Sequence, residues 1–362
     1  MLAEKFLTSM ESLPGSGLAA GSSIHWQMQT SWLLADSLWR TNLLSPPILF
    51  FFLGMASVFL RSGLEIPAAF TKVLSLYLLW SIGFKGGVQL QHTGLGPDVA
   101  LPALCAMGLS ALIPMYVFPL LKWKLGSPTA AAAAATYGSV SVVTFLAATT
   151  LLDENNVPYG GHMVAITALM ESPAVMIGVL MSRWFGDPST KSEAKLGIGR
   201  LLHDAFLNSA VVLLVGSLLV GYFSEGKTQA KVIPLSNDLF YGLLCFFLLD
   251  LGLLAGKNAT ALFKAGWFVL IMAIVIPMVN AMIAGFVAKV LEMPFGDGFL
   301  LMVLAASGSY IAVPAAMKLA IPTARQEIFV PMALTLTFPF NVTIGLPIYW
   351  WIAQRFISAP LS

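Results

Sequence analysis

The chain has 362 residues, of which 58% are hydrophobic and only 10% charged, and its formal charge is +2. Soluble domains carry about 25% charged residues, so this composition belongs to a polytopic protein of the lipid bilayer with no polar stretch long enough for a separate soluble domain. The net charge is too small, and Lys and Arg too scattered, for a nucleic-acid partner. Cys105 and Cys245 both lie in apolar runs, and the four histidines show no H-x-x-x-H spacing. Neither a disulfide, a metal centre nor a cofactor is indicated.

Residues 1–45 read as an N-terminal leader and interfacial helix: 1–31 are rich in Gly, Ser and Gln and without a signal-peptide core, and WLLADSLWRTNLL over Trp32–Leu44 is a short helix whose tryptophans suit a headgroup layer. Spanning segments need about 20 apolar residues. Ten candidates follow, at 46–62, 67–84, 99–121, 129–151, 162–184, 202–223, 237–256, 264–290, 298–320 and 328–354. They divide into a first half at 46–185, a polar linker at 186–200 and a second half at 201–357. With ten spans, one face receives twelve of the nineteen Lys and Arg residues and the other seven. Cytoplasmic loops carry the excess, which places the linker inside and both termini outside a plasma membrane.

Two of these apolar runs are interrupted in corresponding places. The ninth contains AASGSYIAVPAA, Ala305 to Ala316, and the fourth contains ATYGSVSVVTFLAA, Ala135 to Ala148, with Gly138-Ser139 and Gly308-Ser309 set 170 positions apart. IGFKGG at 82–87 matches LGLLAG at 251–256 with a lag of 169, and Thr167 and Glu171 match Thr337 and Asn341 at 170. Five spans per half is an odd number, so the halves must run in opposite directions. The expectation is an all-α, five-plus-five inverted repeat with two discontinuous helices.

In hydrocarbon a helix opens only where protein or a water-filled cavity meets it, because every backbone N–H and C=O must be satisfied. Pro314 lacks a donor and collides with the carbonyl of Tyr310, which predicts loosening at Gly308 to Tyr310. Gly138 is a flexible point beside Ser139 and Ser141. N–H groups freed at the start of each second half-helix carry partial positive charge, and neighbouring hydroxyls add donors, which makes an anion cradle without any arginine. Freed carbonyls at the other ends would suit a cation. The competing reading, small residues at an ordinary helix interface, suffices for one such stretch; two at one lag, each half-way along its span, favour binding.

Three ionisable residues lie within spans, where burying charge is costly enough to mark function. Glu171, in ALMESPAV, sits half-way along the fifth span beside Pro173, and Asp250, in FLLDLGLL, lies late in the seventh. Both are candidates to hold a coupling cation or take up a proton; the bland alternative is a neutral or paired buried carboxyl. Thr337 and Asn341 mirror the Glu171 region and add neutral oxygens. Lys85 is close enough to a span end to snorkel.

Taken together, DSLWRTNLLSPPILFFFLG, SIGFKGG, YGSVSVVT, ALMESPAV, AASGSYIAVPAAMKLAIP and LTLTFPFNVTIGLPIY, spread over residues 36–357, resemble the sodium-dependent bicarbonate transporters known from cyanobacteria. The resemblance implies a gate domain and a core domain, two crossed broken helices and a homotrimer. It implies a bicarbonate cradle at Gly138, Ser139, Ser141 and Thr144 and at Ser307, Ser309 and Tyr310, with Val140 and Gly308 inside the same stretches. Sodium, the expected coupling ion, would bind at or near Glu171 and Ser307. Two departures stand out. Well-known members carry an aspartate where this chain has Tyr310, which donates a hydrogen bond but no charge at neutral pH. They also carry a long insertion where this chain has only 186–200, so a cytoplasmic regulatory protein has less to dock on.

The first expectation is import of bicarbonate with sodium by alternating access of an elevator-like kind. The alternative is a proton- or sodium-coupled carrier of another small anion or carboxylate, working through Glu171 or Asp250. A channel or sensor is a different class, separated by whether solute accumulates against a gradient. No Ser/His or paired-Asp constellation lies at depth, so no catalytic residue is expected.

Overall fold

The computed structural model describes residues 42–94, 96–185 and 209–357. The leader and nearly all of the Trp32–Leu44 helix fall outside those residues, as do the 186–200 linker and the start of the sixth apolar run. No strand occurs among the described residues. The helices are α1 Pro46–Phe59, α2 Ala68–Thr93, α3 Pro97–Leu125, α4 Ser127–Gly138, α5 Val142–Glu154, α6 His162–Leu169, α7 Glu171–Phe185, α8 Ser209–Phe223, α9 Gly226–Lys264, α10 Trp267–Val290, α11 Phe295–Ala306 and α12 Ala312–Ala320, with α13 over Gln326–Phe356. Among the described residues seven helical segments are long and apolar enough to cross a membrane; α1, α8 and α11 are shorter apolar helices.

The described parts of the ten apolar runs are helical apart from the links at 139–141 and 307–311 and a turn at Met170, and several ends differ from those read in the sequence. α9 has 39 residues, because a polar turn-rich stretch from Gly226 to Asp238 continues the helix before its apolar part begins. A helix can outrun the hydrocarbon, since its backbone bonds are internal. Where helices must stop, glycine supplies the left-handed turn: Gly126 has φ 75° and Gly266 φ 92°. The fifth run is divided at Met170 between α6 and α7, rather than merely kinked at Pro173. α13 widens into π-type turns at Met332–Thr337 and Asn341–Gly345, near Pro331, Pro339 and Pro347, which cannot donate to the ladder.

Helix crossings are set by small residues that let backbones touch. Where α1 crosses α9, a Cβ on Gly54 would stand 2.1 Å from the Leu249 carbonyl oxygen, and one on Gly252 2.0 Å from that of Phe51. Where α2 crosses α8, a Cβ on Gly87 would stand 2.0 Å from the Leu218 oxygen, and one on Gly221 2.3 Å from that of Phe84. These two pairs flank the interrupted helices. A Gly252→Leu or Gly87→Leu change therefore forces the backbones apart and should cost at least about 1–3 kcal/mol, the usual penalty of overpacking. It should show as a lowered thermal midpoint of the detergent-solubilised protein, whereas Gly216→Leu, at an open position, should leave the midpoint unchanged.

Candidate functional site

α4 begins at Ser127-Pro128 and runs through six alanines, Ala130–Ala135, all 0% exposed. Alanine has the best helix propensity and no bulk, so α4 approaches α3 and α7 closely. A Cβ on Gly138 would stand 2.4 Å from Pro114 Cγ, and one on Gly178 2.6 Å from Ala135 Cβ. The helix ends at Gly138, Ser139 is extended (φ −90°, ψ 175°), and α5 starts after Ser141, whose Oγ accepts the Thr144 N–H at 3.2 Å as an N-cap. The second interruption repeats the pattern. α11 ends at Ala306, Ser307 is extended (φ −82°, ψ 168°), and Ser309 Oγ accepts the Val313 N–H at 3.3 Å. Pro314 falls in the first turn of α12, where a missing N–H is not needed.

The two openings are stitched to each other. The Ser309 N–H donates to the Thr136 carbonyl at 2.9 Å, and the Ser141 N–H donates to Ser307 Oγ at 2.8 Å. Ser307 in turn donates to the Leu304 carbonyl at 2.8 Å. Each break thus satisfies backbone groups of the other, and the two form one site.

The carbonyl ends are occupied by two asparagines. Asn280 of α10 donates from Nδ2 to Ala305 O at 2.8 Å, with a longer contact of 3.4 Å to Tyr137 O, while its Oδ1 accepts from the Tyr116 hydroxyl. Asn341 donates to Ala306 O at 2.9 Å and accepts from the Tyr349 hydroxyl at 2.8 Å. Thr337 Oγ1 lies 2.7 Å from both Tyr137 Oη and Ala273 O. Thr337 and Asn341 are therefore engaged inside the protein, both 0% exposed, and the carbonyls that the sequence would leave open to a cation are largely met by amides.

The second half-helices start at a cavity of about 80 Å³ whose polar wall is Ser75, Ser141, Glu171, Ser309 and Tyr310, with Val140 beside them and the remainder apolar. Tyr310 is buried, its ring edge-on to Phe338 at 5.5 Å. Its hydroxyl faces Ser141 without a hydrogen bond of normal geometry, and Ser139 Oγ is likewise buried and unpartnered. Such orphaned hydroxyls carry a desolvation penalty unless a ligand meets them. Glu171 enters the wall because it opens α7 at the Met170 interruption, where the Met170 carbonyl accepts from Ser110 Oγ.

The chain belongs to the Na+-dependent bicarbonate transporter superfamily. The family model matches residues 46–354, which includes every element of the site. With the apolar helices already described, membership makes the protein a multi-pass membrane transporter of an anion-carrying family. A comparison with curated proteins gives no match to the chain.

Of the residues singled out in the sequence, Val140, Ser141, Ser309, Tyr310 and Glu171 line the cavity, while Gly138, Ser139, Thr144, Ser307 and Gly308 lie in or beside the same two links without lining it. Asp250 does not join it. It lines a separate vestibule of about 480 Å³ with Thr71, Lys72 and Lys257; the two cavities share Ser75, Leu79, Ala210, Phe247 and Ile311 in their walls. Asn42, Thr150 and Glu154 line a small crevice of about 20 Å³ elsewhere. Lys85 rests 4.6 Å over the Phe240 ring, near Asp153 and Asp238, a structural setting away from the cradle.

Sequence reasoning passes over Asn280, Tyr116 and Ser110. Asn280 was visible as a lone amide in an apolar run, and it lies 170 positions after Ser110, the lag of the interruptions themselves. Asn280→Ala leaves the Ala305 carbonyl and the Tyr116 hydroxyl without their partner, and should cost about 1–3 kcal/mol. The expected result is a lowered thermal midpoint in detergent; an unchanged midpoint would mean that the amide is dispensable to the crossing.

Proposed function

We propose that the protein imports bicarbonate together with sodium, by alternating access in which a core carrying the interrupted helices moves against a gate. The observation that carries this reading is the convergence of two helix N-termini and the orphaned Tyr310 hydroxyl on one cavity with room for a small anion. Partial positive charge at the N-termini of α5 and α12 balances the anion without a buried arginine. Ser139, Ser141, Thr144, Ser307, Ser309 and Tyr310 supply hydroxyls and backbone donors, and Gly138, Val140 and Gly308 keep the backbone open. Glu171, the carboxylate in the wall, is the residue to hold sodium. With Asn341 and Thr337 engaged elsewhere, the remaining oxygens would come from the extended links at 139–141 and 307–309.

The gate in this reading comprises α1, α2, α8 and α9, joined by reciprocal glycine crossings; the other helices form the core. Gly83 and Gly252, 169 positions apart, each abut a facing backbone, which favours the inverted five-plus-five repeat. By the Lys and Arg distribution, the Thr71–Lys257 vestibule opens to the cytoplasm, so the described conformation is inward-facing, with both termini outside and the protein in the plasma membrane. Homotrimeric assembly and a cytoplasmic regulatory partner belong to the same family-based reading. Tyr310 in place of an acidic residue keeps a second reading in play, another small anion or carboxylate coupled to protons through Glu171 or Asp250.

Proteoliposomes separate the two. Labelled bicarbonate should accumulate only with an inward sodium gradient, and uptake that ignores sodium but follows pH selects the second reading. Ser139→Leu and Ser309→Leu should each abolish uptake, while the purified variants keep their monodisperse elution in detergent; near-normal uptake by both would remove the cradle. Glu171→Gln should raise the sodium concentration for half-maximal uptake at least tenfold, the scale of one lost charged ligand at about 1.4 kcal/mol; an unchanged sodium titration clears Glu171 of that role.

A further inference from the structure

We infer that the turn from Pro158 to Gly161 closes the transport path on the membrane face away from the vestibule, with Asp297 as the positioning residue that fixes the turn to the core and Gln89 as its docking point on the gate. The inference rests on the transport reading above and concerns residues remote from the cradle.

α2 runs past each station of the path in turn. Its Thr71, Lys72, Ser75 and Leu79 line the vestibule, and Ser75 and Leu79 also wall the cavity. Gly86 follows Leu79 by seven residues, about 10 Å at the rise of an α-helix, in the direction away from the vestibule. At that level α2 and the turn meet backbone to backbone. A Cβ on Gly161 would stand 2.1 Å from the Gly86 carbonyl oxygen and 2.8 Å from the Leu90 nitrogen, and one on Gly86 2.6 Å from Val164 Cγ2. Gln89 Nε2 donates to the Tyr159 carbonyl beside this contact. No side chain fits between the two backbones, so no solute passes between them either.

The turn is held from behind by the other half of the chain. Asp297, in the first turn of α11, accepts the Gly160 N–H on Oδ1 at 2.5 Å, and its Oδ2 lies 3.7 Å from His162 Nε2. Asp297 and His162 are both buried. A Cβ on Gly296 would stand 2.2 Å from the Pro158 carbonyl oxygen, so the two turns interlock. A buried carboxylate is costly, and here it supplies a charge-assisted bond to a turn whose two adjacent glycines give it little shape of its own. Because α11 ends at the second interruption, Asp297 joins the turn to the piece that carries the cradle. The two borders of the turn therefore differ in strength. Toward α11 it has a charge-assisted bond and interlocked backbones; toward α2 it has one neutral amide-to-carbonyl bond, roughly half as strong as a charge-assisted one, and glycine surfaces in van der Waals contact. The border with α2 is the one that parts when the core moves.

The test is two-sided labelling of one cysteine in the cavity wall, Ser75→Cys, with the native Cys105 and Cys245 changed to alanine. Right-side-out and inside-out membrane vesicles present the two faces in turn to a membrane-impermeant maleimide, with no substrate added. The rate from the vestibule face should exceed that from the opposite face at least tenfold; equal rates overturn the inference. In the same background, Gln89→Ala and Asp297→Ala should each raise the opposite-face rate at least fivefold while the vestibule-face rate holds or falls. A smaller rise overturns the inference, and so does a rise on both faces alike, which is what mere loosening of the fold produces. Asp297→Asn, which keeps an oxygen for the Gly160 N–H, should return the ratio between faces to within twofold of the parent; an Asn variant that behaves like the Ala one overturns the role of that bond. Should the variants fail to fold, the two-face comparison in the parent decides alone. Absence of sodium-stimulated bicarbonate uptake in the wild type defeats the transport reading itself, whereas a face ratio that the variants leave unaltered in a protein that transports defeats only the closure.

Discussion

Two hydrogen bonds given by backbone N–H groups join the interrupted helices: Ser309 N–H to Thr136 O, and Ser141 N–H to Ser307 Oγ. A helix that opens in an apolar interior leaves several polar groups bare, each costing kilocalories if unmet. Here the groups bared by one opening are met by the other, so neither interruption is sustainable alone. The Ala130–Ala135 run and the close fit of Gly138 against Pro114 follow from that requirement, because only helices without bulk can bring two breaks within hydrogen-bonding distance.

The same constraint sorts the charges. Once Asn280 and Asn341 cover the carbonyl ends, the partial positive ends of α5 and α12 are the ones left facing open space, and the site acquires a sign without any buried cation of its own. Glu171 is placed there by a third interruption, at Met170. A carboxylate at the start of α7 is favoured by that helix's own N-terminal dipole.

The interruptions themselves were legible because glycine, serine and proline in the middle of apolar runs have few explanations, and because both occur at one lag. Depth along a span was legible too; direction around it was not. Asp250 and Glu171 look alike in sequence, each a lone acid in a leucine-rich run, yet one faces a vestibule and the other the cradle, since that depends on which neighbour each helix packs against. Thr337 and Asn341 read in sequence as neutral oxygens mirroring the Glu171 region; their bonds to Tyr137, Ala273 and Ala306, made from the π-type turns of α13, carry no signal in the sequence. Asn280 escaped notice because a solitary amide among leucines and valines is also what a plain helix contact looks like. The long α9 was underestimated because its first third is polar and carries no hydrophobic signal.

Asn280 reaches the ends of α4 and α11 from α10 and is itself gripped by Tyr116 of α3. Four helices are thereby fastened at one point, and the chamber they enclose has no hinge of its own at that level. Any change in which side of the bilayer sees the chamber would have to carry the fastened group as a single piece of cargo. The sliding surface would then lie at its outer border, where α2 and α9 contribute Leu79 and Phe247 to the chamber wall as smooth apolar faces.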